Sequence, residues 1–323
     1  MTTTESRALV IFPGALGDLI CLGPGLSELA RRHRELELMA RGELAQFACG
    51  RMGPHRALSI DRREVAQLFT SQPPQEAVEF FGAFQQIHCF FGFDQADFRQ
   101  ALSRACPGQV HFHPFRPRRR GHVAAAYLRE LGFKKSPFGY RLALHPQDIA
   151  DAQGELERLG IKRPVLIFPG SGSPSKNWPL QNFTALARDL APTPVLIVLG
   201  PAERHLRAAV TDFPCLIEPT LGCLAGLAQQ ALGFVANDSG VSHLAAAAGA
   251  PGVVIFGPTS PARWRPLGEV AIVRTRWLDV SWQEVAQVLR CHLDRCGKRY
   301  ASLIDWAPQA GEEAGSDLSE ASR

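Results

Sequence analysis

No C-x-x-C pair occurs among the eight cysteines, which stand alone at positions 21, 49, 89, 106, 215, 223, 291 and 296. Disulfide scaffolds are short and cysteine-dense, and zinc modules cluster their ligands, so neither class applies. The cysteines read instead as reduced side chains in or near cores. No run of eighteen consecutive apolar residues is present, and no membrane span is expected. Met1 to Ser6 carries one charge, Glu5, where a secretory leader would be basic and then apolar. A cytoplasmic location is therefore expected. The P-loop pattern G-x-x-x-x-G-K-[ST] is missing, so the glycine loops described below are not those of a P-loop nucleotidase. No basic stripe interleaved with aromatics occurs either, which argues against nucleic acid as a partner.

What remains is a chain with 46% hydrophobic and 20% charged residues, the balance of a folded globular protein. Its 323 residues suffice for two domains, each with its own core. Positive charge is concentrated early, with 19 basic against 14 acidic residues in 1–150. Residues 151–297 hold 13 against 12, and 298–323 hold 3 against 5. The early excess sits in "RRHR" (Arg31 to Arg34) and "RPRRRG" (Arg116 to Gly121). Such runs are either solvated faces or attractors of an anionic partner, a phosphorylated lipid or a membrane surface.

Two stretches open alike. "LVIFPGALGDLICLGPGLSELARRH" begins at Leu9 and "VLIFPGSGSPSKNWPLQNFTALARDL" at Val165, with the Phe-Pro-Gly prolines 156 residues apart. A strand–loop–helix opening repeated at half the chain length predicts two Rossmann-like domains in tandem. The expected division is 1–150, 151–297, and a polar tail over 298–323 that is partly disordered. In the second half, Thr193 to Gly200, Leu232 to Asp238 and Gly252 to Gly257 read as buried parallel strands. Helix patterns alternate with them over Phe183 to Leu190, Ala202 to Val210, Leu221 to Gln230 and Val241 to Ala248, and a last helix is expected through Val285 to Cys296. The first half yields strands at Leu36 to Ala40 and Gln86 to Phe91, and helices over Leu22 to Arg32 and Gly121 to Leu131. Ser136 to Pro164 reads as a polar crossing between domains with one short helix.

In such sheets ligands bind at the carboxyl ends of the strands, so the two glycine loops should face each other across one cleft. Within "VANDSGVSHLAAAAGAPGVVIFGPT", a strand ends at Asn237 and Asp238, and Ser239 and Gly240 turn the chain into an alanine-rich helix. Asp238 or Ser239 is a good N-cap. The free N–H groups and dipole of that helix favour an anion. Gly240 would let a diphosphate approach the backbone, and His243 falls in the first turn. In "FPGSGSPSKNWP", Ser171, Gly172 and Ser173 offer small residues and hydroxyls, and Lys176 adds a mobile positive charge. Lys176 is either an exposed loop lysine or the cation that meets the charge developing on a leaving diphosphate. Glu203, in "LGPAERHL", either accepts hydrogen bonds from a ribose diol or simply favours a helix start. The first loop carries Gly17 and then Asp18, a carboxylate where an anion would be expected to sit.

Taken in order, G-D-x-x-x-x-x-P (Gly17, Asp18, Pro24), P-G-S-G…K-x-W-P (Pro169 to Pro179) and N-D-S-G-x-S-H-L-A-A-A (Asn237 to Ala247) with G-P-T (Gly257 to Thr259) resemble glycosyltransferase family 9. Its best-known members are the ADP-heptose:lipopolysaccharide heptosyltransferases. The resemblance runs from Leu9 to about residue 296. It implies an α/β protein of GT-B fold, two Rossmann-like domains facing each other across a cleft. The acceptor would lie on the N-terminal domain and the nucleotide-sugar on the C-terminal one. It also implies inverting transfer from an ADP-activated heptose to a hydroxyl of a lipopolysaccharide core or other anionic envelope glycan, at the inner face of the cytoplasmic membrane. No obligatory cofactor or metal is implied, in keeping with the absence of D-x-D. By position Asp18 is similar to the general base. Lys176, Ser239, Gly240 and His243 are similar to diphosphate contacts, with Asp238 beside the donor and Glu203 near its ribose. Inversion asks for a base on the face opposite the leaving group, which answers why the first loop carries an acid. "GPTSPARWRPLG" (Gly257 to Gly268) departs from the family pattern by adding Trp264 and two arginines. Two rivals remain open: a sugar-nucleotide epimerase or hydrolase of the same architecture, and a non-catalytic sugar-nucleotide binder.

Overall fold

The computed structural model describes residues 4–70, 72–118, 120–274 and 280–304. Strands β1 (Thr4–Ile11), β2 (His33–Ala40), β3 (Arg56–Ser59), β4 (Gln86–Cys89) and β5 (Gln109–Phe112) form one sheet in the order β3-β2-β1-β4-β5. Strands β6 (Val165–Phe168), β7 (Val195–Leu199), β8 (Cys215–Ile217), β9 (Gly233–Asn237), β10 (Gly252–Phe256) and β11 (Val270–Arg274) form a second, ordered β11-β10-β9-β6-β7-β8. Every pairing is parallel. In each sheet the first strand of its half sits inside, with its successors wound outward on one side and then the other. The topological switch point therefore falls beside β1 and beside β6, where the chain leaves the strand as Phe-Pro-Gly. That placement puts the loop after β9 next to the loop after β6.

The strands of the second sheet that bear the site, β6, β7, β9 and β10, are buried along their whole length. Helices on both faces of a parallel sheet demand such unbroken apolar runs. Edge strands β3 and β5 span four residues each and bury at most one position, Leu58 in β3, and the sequence reading passed over them.

Four differences from expectation have local causes. The first helix spans Leu16–Ala30, starting six residues before the expected Leu22, so Asp18 lies in its first turn and not in a loop. Gly23, Pro24 and Gly25 look like a break, yet they lie inside the helix. A side chain at Gly23 would overlap Tyr140 and Met52, and one at Gly25 would overlap Leu131. The crossing segment holds a fourteen-residue helix, Pro146–Leu159, packed on helix Leu221–Gln230. Pro201–Ala209 is a run of 3₁₀ turns with no buried residue, in place of the expected helix; Leu206 alone leans on the second-sheet core. The last helix, Trp282–Ile304, passes position 297, and residues 305–323 of the expected tail lie outside the described residues.

The two halves share a core. Helix Leu16–Ala30 packs against helix Gly240–Ala248, and Leu19, Ile20 and Leu22 belong to one buried cluster with Leu244 to Ala248. At the far end of the contact, the Arg51 Nε donates to Asp148 Oδ2 at 2.7 Å and Nη2 to Oδ1 at 2.5 Å. Burial alone would push the Asp148 carboxyl up, but the Arg51 guanidinium and the His145 N–H bring it below its ordinary value.

The first sheet buries a histidine cluster. His88 on β4 lies beside His111 and His113 at the end of the sheet's edge, with ring centroids at 5.1 and 5.3 Å. His88 Nδ1 and His113 Nε2 share a hydrogen bond of 3.0 Å, and the Nε2 atoms of His88 and His111 are buried with no partner among the described residues. Burial, then the neighbouring histidines and Arg32, pushes His88 down to about 2, and burial with His111 pushes His113 down to about 4. Among the described residues no group of histidine, cysteine or carboxylate side chains is arranged to hold a metal ion. Both imidazoles are thus neutral in the fold but protonate near 6.5 in the unfolded chain. Stability from them is complete above that value and declines as pH falls toward 4. Each contributes a slope of about 1.4 kcal/mol per pH unit in that window. Urea unfolding at pH 7, 6 and 5 should show this loss, and His88→Phe should flatten it by about one such increment; an unchanged slope would refute the assignment.

Candidate active site

The site is built where the carboxyl ends of the two sheets face each other. Gly17 and Gly240 meet there without side chains between them: a Cβ at Gly17 would lie 3.4 Å from Gly240 Cα, and one at Gly240 would lie 3.1 Å from the Gly17 N. Beside this contact is a cavity of about 530 Å³, with Leu16 and Gly17 on one wall and Ser171, Gly172, Glu203, Ser239 and Gly240 on the other. Val198, Leu199, Leu224 and Val241 give it an apolar floor. Glu203 reaches it by crossing the loop after β6, and any side chain at Gly170 would overlap its carboxylate. An apolar floor with a few polar groups at its rim is the usual make-up of a small-molecule site.

The loops on the second-sheet side are braced from within. Asn237 Nδ2 donates to the Pro169 carbonyl at 2.8 Å, and its Oδ1 accepts the Trp178 N–H at 3.0 Å. One buried amide thereby ties the loop after β9 to the loop after β6. Trp178 itself packs edge-on against Phe183, both buried. Lys176 Nζ donates to Asp238 Oδ2 at 2.8 Å, and Thr259 Oγ1 donates to the same oxygen at 2.5 Å. Ser171 Oγ donates to Asn177 Oδ1 at 2.6 Å, and the Ser173 hydroxyl pairs with Ser175, so both shape the loop. Ser239 precedes helix Gly240–Ala248, and its Oγ is buried with no partner among the described residues. The leading N–H groups of that helix carry the positive end of its dipole.

Asp18 stands on the first-sheet side, in the helix that begins one residue before Gly17. It is only 5% exposed, and a buried carboxylate needs a countercharge. Arg116 supplies it: Nε donates to Oδ1 at 3.1 Å and Nη2 to Oδ2 at 2.8 Å. Its hydrogen bonds to the Asp18 carboxylate raise the Arg116 guanidinium above its ordinary value. Sequence reasoning left Arg116 within a basic run; the signal available was the unpaired acid 98 residues away, with nothing local to connect them.

His243 is 3% exposed and lies beneath this junction, its Nδ1 3.5 Å from the Cys21 Sγ of the facing helix. Burial pushes its imidazole down to about 4 against the pull of Asp238 and Asp18, so it is neutral at pH 7. The positive charge on this side of the site therefore comes from Lys176. Of the residues singled out in the sequence, the structure brings Gly17, Ser171, Gly172, Glu203, Ser239 and Gly240 to one cavity. It pairs Lys176 with Asp238 behind them, and sets Asp18 on the opposing helix.

Two doubly wound parallel domains closing on a glycine-lined cavity constitute a GT-B fold. The profile of "Glycosyltransferase family 9 (heptosyltransferase)" matches residues 117–280. Lipopolysaccharide heptosyltransferase 2 of Escherichia coli (strain K12) is 33% identical over 165 residues, covering 47% of this chain and 45% of that protein. Among solved structures, the family 9 glycosyl transferase of Veillonella parvula DSM 2008 superposes with a TM-score of 0.74 at 19% identity, over 91% of this chain and 99% of that one. The E. coli heptosyltransferase WaaC with ADP superposes at 0.63 and 19% identity, over 88% and 99%. The chain belongs to glycosyltransferase family 9. It spans about half the length of the curated relatives it matches.

Cys21 offers a check on the closed junction. Burial, then Asp18 and Asp238, pushes its thiol far above the ordinary value, whereas Cys291 is exposed. Labelling with a thiol reagent at pH 7.5, read by mass spectrometry, should modify Cys21 about a hundredfold or more slowly than Cys291. Comparable rates would show that the two helices separate readily.

Proposed function

We propose that the protein is an inverting glycosyltransferase that moves a heptose from an ADP-activated donor to a hydroxyl of a lipopolysaccharide-core or related anionic envelope glycan. The observation that carries this reading is the placing of an acid and of an anion-binding helix start on opposite sides of the junction. Asp18, gripped by Arg116, stands on the first-sheet side, and Lys176, paired with Asp238, stands on the other with the start of helix Gly240–Ala248.

In this reading the nucleotide lies along the cavity with its ring on the apolar floor and its ribose against Glu203. The diphosphate meets the start of helix Gly240–Ala248 and Lys176. As the bond from sugar to diphosphate breaks, charge builds on the departing oxygen, and fixed amides and a cation already aimed at it lower the barrier. The acceptor hydroxyl enters from the opposite face and gives its proton to Asp18. The anomeric carbon is oxocarbenium-like at that moment, which makes the attacking hydroxyl acidic. Correct aim then counts for more than a strong base, so a carboxylate held by an arginine suffices. Among the described residues no helix is long and apolar enough to cross a membrane. The reaction is proposed to take place at the inner face of the cytoplasmic membrane, where such an acceptor would be presented.

Asp18→Asn keeps the shape of the side chain and removes the proton acceptor. It should lower kcat about 10²–10⁴-fold in a transfer assay while donor affinity stays within a few-fold. A variant that loses donor binding to the same degree would place the acid with the nucleotide and end this mechanism. Separately, melting temperature measured with ADP-, UDP-, GDP- and CDP-sugars should rise most with the ADP donor. At a hundred times the dissociation constant the stabilisation is about 2.7 kcal/mol. A preference for UDP or GDP would remove the heptosyl assignment.

A further inference from the structure

The two basic features that the sequence left without a role touch each other. Residues Arg116 to His122 follow β5 of the first sheet, and residues 263–265 follow β10 of the second. Arg263 Nη2 donates to the Pro117 carbonyl at 2.6 Å, and His122 Nε2 donates to the Arg265 carbonyl at 2.7 Å. Between these two bonds the Trp264 ring lies against Arg116, with the guanidinium carbon 5.6 Å from the ring centroid. On its other neighbour the same guanidinium is 5.0 Å from the ring of Phe115. Arg116 thus touches aromatic rings from both halves of the molecule while its fork grips Asp18.

Distance and exposure show why this matters. The Arg116 side chain is 56% exposed, and an arginine that open ordinarily samples many rotamers. A two-point grip on a carboxylate requires the guanidinium plane to be held, and an aromatic face holds it by stacking and by attraction to the cation. Phe115, adjacent in the chain, supplies one such face at 5.0 Å, and Trp264 supplies a second at 5.6 Å. Trp264 comes from the other half, bracketed by two backbone-directed hydrogen bonds that set its approach.

We infer that Trp264 is a positioning residue: through Arg116 it aims the Asp18 carboxylate, so the proton acceptor of one domain is set only while the other domain is seated against it. This rests on the transfer reading given above and adds the coupling of that step to domain closure. The donor contacts assigned to Lys176, Ser239 and Gly240 do not include Trp264, so its loss falls on turnover and not on donor binding.

The test compares full-length Trp264→Leu, which fills much of the space without an aromatic face, with Trp264→Phe, which keeps one. Trp264→Leu should lower kcat about tenfold or more, leave the KM for the ADP-sugar within about twofold, and be largely rescued by Phe. Equal kcat in Leu and wild type, or equal losses in Leu and Phe, overturns the positioning role and leaves the transfer reading standing. A second readout needs no turnover. In a melting-temperature cycle, Trp264→Leu should destabilise the wild-type chain and have little effect in an Arg116→Gln background. Additive shifts overturn the coupling. Coupled shifts in a chain that transfers no sugar from any of the four nucleotide donors overturn the transfer reading and keep the contact between the halves.

Discussion

The backbone contact of Gly17 with Gly240 is the constraint on which the site depends. Two helices from different sheets bring their N-terminal ends into backbone contact here because both carry glycine at the point of meeting, where a Cβ at Gly240 would crowd Leu16 and the Gly17 N. Once they do, His243 and Cys21 are enclosed between them and neutral, and the cavity beside them is walled from both sides. The anion-favouring end of helix Gly240–Ala248 then opens into that cavity instead of into bulk water. Electrostatic groups in such a place act through less solvent and are worth more than on an open face.

The charges around the junction are arranged in two closed pairs. Asp18 is matched by Arg116, and Asp238 by Lys176 with Thr259. Each buried acid thus has its counterion, which removes the penalty of an isolated charge. Each pair also leaves one partner with access to solvent, Arg116 on one side and Lys176 on the other. An arriving anion can therefore be met by a cation without first creating one. The folded chain holds these groups in place before substrate arrives, which is where rate enhancement by fixed charge originates.

Much of this was legible in the sequence, for identifiable reasons. Strands β6, β7, β9 and β10 announce themselves because a strand covered on both faces must be apolar throughout. The loops after β1, β6 and β9 are conspicuous because a doubly wound sheet places its switch point there, and glycine and small hydroxyl residues collect at such points. The edge strands β3 and β5 carried no comparable signal, being four residues long and half wet. The start of the first helix was hidden by Gly17, Gly23 and Gly25, whose smallness serves packing and not a turn, and by Pro24, which lies inside the helix. The match of Asp18 with Arg116, and of Arg116 with Trp264, joins residues about 100 and 150 positions apart, and no local pattern encodes it.

Gly23 and Gly25 bear on how this chain can vary over time. On either side of Pro24, any added carbon would run into Tyr140, Met52 or Leu131, none of which touches the cavity. Mutational drift at these two places is disfavoured by crowding, whatever sugar the protein handles. Relatives that diverge widely in substrate should still keep the smallest residue there, or else show a matching reduction in the tyrosine or leucine that presses on it.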